Sequence, residues 1–174
     1  MIRARPLLMA LTFALPCALA GAEECKGFKW DVSREQALFT GKSSAIMAGT
    51  EEGKAPGIQP DKLYDVALAP QEQVHLVAKP GKTMIPDGAS AGLLRVRVAK
   101  AGTYRVAVSQ AFWIDVVSAG STLASLDFSG SHDCERPRKI VVYELPADRE
   151  LFLQLSGQTD AHVLLSVTLV SARP

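Results

Sequence analysis

Alternating apolar and polar residues occupy most of the chain after its first third. In residues 101–117, Tyr104, Val106 and Val108 are separated by single residues, and a second apolar run follows at 112–117. A period of two predicts strands that bury one face. The two runs, joined by a few polar residues, predict the central hairpin of an antiparallel sheet.

Turn-forming residues separate the alternating runs at intervals of about 8 to 12 residues, which predicts about eight or nine strands. Long helical patterns between the runs, which a parallel α/β sheet needs, do not occur. The sequence therefore predicts an all-β fold, an antiparallel β-sandwich. A jelly-roll-like topology is our first choice and an immunoglobulin-like topology the second, because both give the same strand signal.

One short helix is predicted before the strands. Ser33 is the expected N-cap, Gln36 follows three residues later as in a capping box, and Gly41 ends the helix. Residues 21–174 contain no repeat, low-complexity tract or second boundary, and their number fits one β-sandwich domain.

The N-terminus has the features of a secretory signal peptide. Arg3 and Arg5 precede an apolar run at residues 7–15, and small residues follow up to Ala20. The run is shorter than the roughly 20 residues that cross a bilayer. We expect a signal over residues 1–20, with cleavage after Ala20 or alternatively after Ala22. The mature protein is then periplasmic or secreted and has no membrane span.

Charge excludes one class of partner. The chain has 19 basic and 18 acidic side chains, and loss of Arg3 and Arg5 with the signal leaves the mature protein near neutrality. Scattered, balanced charge gives no electrostatic reason to bind nucleic acid.

Two of the three cysteines remain after the signal is removed, Cys25 and Cys134. An even number of cysteines in an oxidising compartment favours a disulfide between them. The alternative is a redox or metal-binding thiol, but the chain has no Cys-x-x-Cys, and His132 is the one histidine at ligand spacing from a cysteine.

The sequence gives little support for a catalytic site. A non-haem iron site needs two histidines and a carboxylate around one open position, whereas His75, His132 and His162 lie in three separate parts of the sequence. No serine stands in a Gly-x-Ser-x-Gly motif. We predict no catalytic residue, no metal and no cofactor, and we lean against an enzyme without deciding the question.

Trp113 and Asp115 are the main candidate binding residues, because they alternate with Ile114 on the second apolar run. Either face of this strand can be the core. If the Ile114 face is buried, Trp113 and Asp115 form an exposed aromatic–acid pair suited to a sugar; if Trp113 packs inward, the hypothesis fails. Asp115 has a second interpretation, a simple outward strand position. Tyr104 is a further candidate aromatic contact.

Several spaced features suggest a family. Cys25, Phe28 and Trp30 form Cys-x-x-Phe-x-Trp, and an Arg-Glu-Gln-Ala helix, AGTYRVAVS…WIDVV and a late Cys before an Arg-Lys strand follow. The whole resembles a group of small exported proteobacterial β-sandwich proteins, some of which carry the label homogentisate dioxygenase. That label implies non-haem iron chemistry, which the scattered histidines do not support. Residues 93–170 are also similar to sandwich modules of secreted peptidases and carbohydrate-binding domains.

The sequence therefore predicts a non-catalytic periplasmic binding or envelope-interaction module, whose partner is an envelope protein or a glycan. A carbohydrate-binding module is the first alternative and a non-haem iron dioxygenase the second.

Overall fold

The computed structural model describes Cys25 and residues 27–173. The predicted signal peptide and its two cleavage positions lie outside the described residues. Within the described part, no helix is both long and apolar enough to cross a membrane.

The described residues are mostly β, with one α-helix, α1, at Ser33–Phe39 and two single 3₁₀ turns, at Glu52–Lys54 and Gln71–Gln73. The strands are β1 (Ser44–Met47), β2 (Gly57–Ile58), β3 (Leu63–Ala67), β4 (Ala69–Pro70), β5 (Ser90–Val96), β6 (Gly102–Val108), β7 (Trp113–Ser118), β8 (Ser121–Thr122), β9 (Ser125–Gly130), β10 (Lys139–Leu145), β11 (Leu151–Gln158) and β12 (His162–Ala172).

The strands form two sheets. Sheet A has the order β1-β3-β12-β6-β10-β9, and sheet B has the order β2-β5-β11-β7-β8, with β4 also paired to β5. The sheets are mixed, because β1 runs parallel to β3 and β2 runs parallel to β5. The prediction of a purely antiparallel sandwich with eight or nine strands was therefore wrong in both respects. The extra strands are short pieces such as β2, β4 and β8, of two residues each, which are too short to show an alternating pattern.

The two sheets pack face to face around one main core. Alternate residues of each long strand point into it, as the period of two predicts. All of its members are buried. The inward residues include Val106 and Val108 of β6, Ile114 and Val116 of β7, Leu153 and Leu155 of β11, and Leu165 and Val167 of β12.

The predicted central hairpin is wrong, because β6 lies in sheet A and β7 in sheet B. β6 already pairs with β10 along one edge and with β12 along the other, so no edge is left for β7. Ser109 fixes the end of β6 to β12: its N–H donates to Leu164 O at 3.0 Å, and its Oγ accepts the Leu164 N–H at 2.9 Å. The chain then crosses to sheet B through Phe112, which is completely buried.

The N-terminal segment and α1 cover the outer face of sheet A. Val32 and Phe39 pack on Leu63, Ala107 and Ile140 in a second apolar cluster. The helix is confirmed, but Ser33 is its first residue rather than its N-cap. The Ser33 N–H donates instead to the carboxylate of Asp31 at 2.9 Å.

A buried ion pair fastens α1 to the sheet. Glu35 is 1% exposed. Its Oε2 lies 3.3 Å from Arg105 Nη1, and its Oε1 accepts the Thr168 hydroxyl at 2.6 Å. Arg105 also donates to Asp31 O at 2.8 Å and lies 5.1 Å from the centre of the Trp30 ring.

The predicted disulfide partners lie together. The Cα atoms of Cys25 and Cys134 are 5.6 Å apart, which is within the range that a disulfide requires. The bond joins the segment before α1 to the loop between β9 and β10, across 109 positions of sequence. It therefore holds the N-terminal segment against the outer face of sheet A.

The segment at residues 71–89, which we call the strap, covers the outer face of sheet B. Val74, Leu76 and Val77 pack there against a third apolar cluster that includes Val117 and Phe152. The alternation at residues 74–78 is typical of a strand, but no strand forms there. The Gln154 side chain takes the place of a partner strand, since its Oε1 accepts the Ala78 N–H at 2.8 Å and its Nε2 donates to Ala78 O at 3.1 Å.

Candidate functional site

The orientation of β7 decides which side of the strand faces outward. Ile114 and Val116 belong to the main core and are at most 4% exposed. Trp113 and Asp115 therefore point away from the core, on the outer face of sheet B. The structure brings these two predicted site residues together, with Trp113 Nε1 donating to Asp115 Oδ1 at 2.9 Å.

Asp115 lies under the strap and is only 8% exposed. Its Oδ1 accepts the indole N–H, and its Oδ2 accepts the Gly81 N–H at 3.3 Å. Both carboxylate oxygens are thus engaged within the protein. Asp115 orients Trp113 and ties the strap to β7, so the arrangement suits a positioning role rather than direct contact with a sugar.

The strap also fixes one edge of the Trp113 ring. A Cβ atom placed on Gly81 would lie 2.9 Å from Trp113 Cζ2, closer than real side chains approach, so only glycine fits beside the indole without a shift. The next residue, Lys82, donates from Nζ to Gly157 O at 3.0 Å. Trp113 nevertheless keeps 36% of its surface exposed.

Lys139 places a cation next to the indole. Its Nζ lies 5.3 Å from the Trp113 ring centre, a cation–π geometry, and donates to Phe112 O at 2.8 Å. Burial lowers the pKa of the Lys139 ammonium below its usual value, and the charge of Lys82 lowers it further, while Asp115 acts in the opposite direction. An anion bound here would relieve both unfavourable effects.

Tyr104, the third predicted site residue, is not part of this surface. It points into the main core from β6 and is 3% exposed. Its hydroxyl donates to Lys100 O at 2.8 Å, and burial raises its pKa above the ordinary value. Tyr104 points from sheet A into the core, whereas Trp113 points from sheet B away from the core, so the structure does not bring them together.

A cleft of about 240 Å³, which we call the Phe128 cleft, opens beside this surface, with Lys139 belonging to both. Phe128 lies on β9 opposite the inward-facing Val141, yet it is 62% exposed. The reason is its edge position: β9 ends sheet A, whereas sheet B ends on that side with the two-residue β8. The described residues that line the cleft are Ala111, Phe128, Ser129, Gly130, Ser131, His132, Arg138 and Lys139.

The cleft is basic. Arg138 donates from Nη1 to His132 O at 2.8 Å, and its Nη2 lies 2.9 Å from His132 Nδ1. Lys139 supplies a second positive charge, and no Asp or Glu occurs among the described lining residues. A surface of this kind can hold a small anion through charge-assisted hydrogen bonds.

Sequence reasoning missed Lys139, Arg138 and Phe128. Arg138 directly precedes β10 and Lys139 is its first residue, and nothing in the sequence marks Lys139 as a neighbour of Trp113. Phe128 occupies an inward position of an alternating strand, which predicts burial; only the unequal widths of the two sheets expose it.

The residues do not fit an iron centre. Within the part of the chain that the structure describes, no three His, Cys, Asp or Glu side chains lie close enough together to hold a metal ion. His162 Nδ1 lies 3.2 Å from Asp65 on the surface of sheet A, His132 contacts Arg138, and His75 is exposed beside Thr50. The three histidines therefore occupy separate surfaces.

Comparisons of the chain with protein-family models, with curated proteins and with solved structures find no match. The argument for function consequently depends on the geometry of the surface around Trp113 and on the residues themselves.

Proposed function

We propose that this protein is an exported, non-catalytic binding module of the cell envelope, and that it contacts its ligand through Trp113 and the adjoining Phe128 cleft. The observation that carries the proposal is the fixed, partly exposed indole, which Asp115 and Gly81 hold in one orientation. A rigid aromatic side chain loses little conformational entropy on binding, which is why Trp is frequent at binding hot spots.

Export is supported by the basic and apolar N-terminus of the sequence and by the Cys25–Cys134 pair at disulfide distance, since disulfides persist in oxidising compartments. The strand order supports a jelly-roll topology: β3-β12-β6-β10 of one sheet faces β5-β11-β7-β8 of the other, and the chain alternates between sheets. Binding surfaces on such sandwiches are common, but topology alone does not name a ligand.

A glycan is the second, more specific candidate. The exposed part of the indole offers an apolar surface for the C–H face of a sugar ring, and the Lys139 ammonium lies next to it. In this arrangement Asp115 supports the ring instead of accepting hydrogen bonds from sugar hydroxyls, which corrects the simple aromatic–acid pair that the sequence suggested.

Fluorescence tests the proposal directly, because the chain has only two tryptophans. In Trp30→Phe, Trp113 is the sole emitter; in Trp113→Phe, only Trp30 emits. Both variants of the mature protein are titrated with neutral oligosaccharides of galactose and of N-acetylglucosamine and with oligogalacturonate. We expect at least one of these to change the emission of Trp30→Phe in a saturable way and to leave Trp113→Phe unchanged. No saturable change with any of them would overturn the glycan assignment, and equal changes in both variants would exclude Trp113 as the contact.

A further inference from the structure

Neither cation of the Phe128 cleft has a carboxylate partner among the described residues. Arg138 contacts backbone carbonyls of Ser131 and His132, and Lys139 contacts the carbonyl of Phe112. Among the residues that the structure describes, no Asp or Glu lies at ion-pair distance from either. An anion entering the cleft would therefore meet two positive charges that are held in place by neutral groups.

Nearby acids are already occupied. Asp115 accepts the Trp113 and Gly81 N–H groups, and Asp127 on β9 is paired with Lys29 at 2.7 Å. Neither carboxylate lines the cleft. Both carboxylates are therefore engaged outside the cleft, and a half-buried ammonium interacts more strongly with an anion than a fully hydrated one does.

Aromatic rings border the cations on both sides. Trp113 lies against Lys139, and the exposed Phe128 forms a wall of the cleft. The volume of about 240 Å³ is below that of sites for drug-sized molecules, so the cleft suits one acidic group and the ring that carries it. Apolar rings beside paired cations match a sugar that bears a carboxylate, sulfate or phosphate.

We propose that the Phe128 cleft binds the anionic group of an acidic saccharide, with Lys139 and Arg138 contacting the charge and Trp113 and Phe128 contacting the sugar ring. This inference rests on the proposed function, because it names the ligand class for the same surface. Lys and Arg both form strong charge-assisted hydrogen bonds to such oxygens, and Arg does so with two N–H groups at once.

The test is isothermal titration of the mature protein at low salt. The probes are oligogalacturonate for the carboxylate, a heparin-derived oligosaccharide for the sulfate, neutral galactose oligomers of equal length, and inorganic phosphate alone. The variants are Lys139→Gln and Arg138→Gln, with Lys62→Gln as the matched control, since Lys62 is exposed and lies outside the cleft. If Lys139→Gln proves unstable in urea denaturation, the affinity of Arg138→Gln decides the test.

We expect one of the acidic oligosaccharides to bind at least about tenfold more tightly than the neutral oligomers. Each cleft variant should weaken that binding by about tenfold or more, because it removes one charge-assisted contact. Lys62→Gln should bind like the parent, and added salt should weaken binding. Preference for oligogalacturonate or for the heparin oligosaccharide identifies the carboxylate or the sulfate as the recognised group.

Three results would overturn the proposal. Equal affinity for neutral and acidic oligomers would show that the protein does not recognise the anionic group, while the proposed function would stand. Unchanged affinity in both cleft variants would show that the anion binds elsewhere. Phosphate that binds as tightly as the oligosaccharides would show that the sugar ring does not contribute to binding. Failure of every saccharide to bind or to alter Trp113 emission would instead reject the glycan function itself.

Discussion

Glu35→Gln should destabilise the fold, because Glu35 is the acid of the buried ion pair that fastens α1 to sheet A. The side chain is 1% exposed, and its two oxygens contact Arg105 and Thr168. Glutamine has almost the same volume and can still accept the Thr168 hydroxyl. The substitution therefore isolates the loss of the counter-ion of Arg105.

The expected magnitude follows from how deeply the pair is buried. Removing one partner of a buried ion pair costs about 3 to 5 kcal/mol, since the remaining charge stays in a poorly solvated place. The Arg105 side chain keeps 16% of its surface exposed, and it retains its bond to Asp31 O and its position over the Trp30 ring. We therefore expect a loss at the lower end, about 3 kcal/mol in the free energy of unfolding.

Urea denaturation of the purified protein, followed by tryptophan fluorescence, measures this loss. The matched control is Glu51→Gln, which removes the acid of an exposed pair with Lys54 at 2.9 Å and should cost much less, because water screens exposed ion pairs. A double-mutant cycle with Arg105→Gln should show that the double variant costs clearly less than the sum of the single ones. A cost as small as that of Glu51→Gln, or strictly additive costs, would refute the reasoning.

Two further predictions concern the disulfide and a buried phenol. Cys25→Ser and Cys134→Ser should each lower the free energy of unfolding by up to about 5 kcal/mol, because the bond closes a loop across 109 positions. The double variant should lose no more stability than a single variant, since both cysteines belong to one bond. Additive losses in urea denaturation would contradict this. Tyr143→Phe should cost about 1 kcal/mol at neutral pH, because Ile114 O loses the phenol that donates to it at 2.7 Å. Burial raises the pKa of Tyr143, so the native state keeps this proton when the unfolded chain releases it near pH 10.0, and stability falls as pH rises beyond that value. Stability measured across this range should therefore fall less steeply in Tyr143→Phe than in the parent, and equal slopes would exclude Tyr143 as a cause.

The buried faces of the long strands were predictable from the sequence. Val106, Val108 and Leu153 lie where a period of two puts them, and α1 forms where its local signals indicate. Strand pairing was not predictable, because alternation says which face is buried but not which strand lies beside it. The connection after Ser109 has a length that suits either a hairpin or a crossing between sheets, and only the partners of β6 decide between them.

The candidate site was predictable in part. Trp113 and Asp115 share a face whichever side is buried, so their pairing could be foreseen, although the side could not. The strap could not be foreseen, since Val74 and Leu76 have the alternation of a strand but belong to an irregular segment that Gln154 anchors to sheet B. Glu35 and Arg105 are 70 positions apart and give no local sign of contact. Residues whose role depends on distant partners of this kind are invisible to local patterns.

The position of β12 within sheet A has a consequence for how the protein folds. This strand lies between β3 and β6, and its partners precede it by a large stretch of chain: Leu165 pairs with both Tyr64 and Val108. Until β12 docks, sheet A consists of two separate halves, β1-β3 and β6-β10-β9, each with an open edge. Closing such long loops before any contact compensates for the entropy lost makes folding slow. During that delay, the open edges are able to pair with other chains, so a chaperone that shields extended strands would be most effective before β12 is in place.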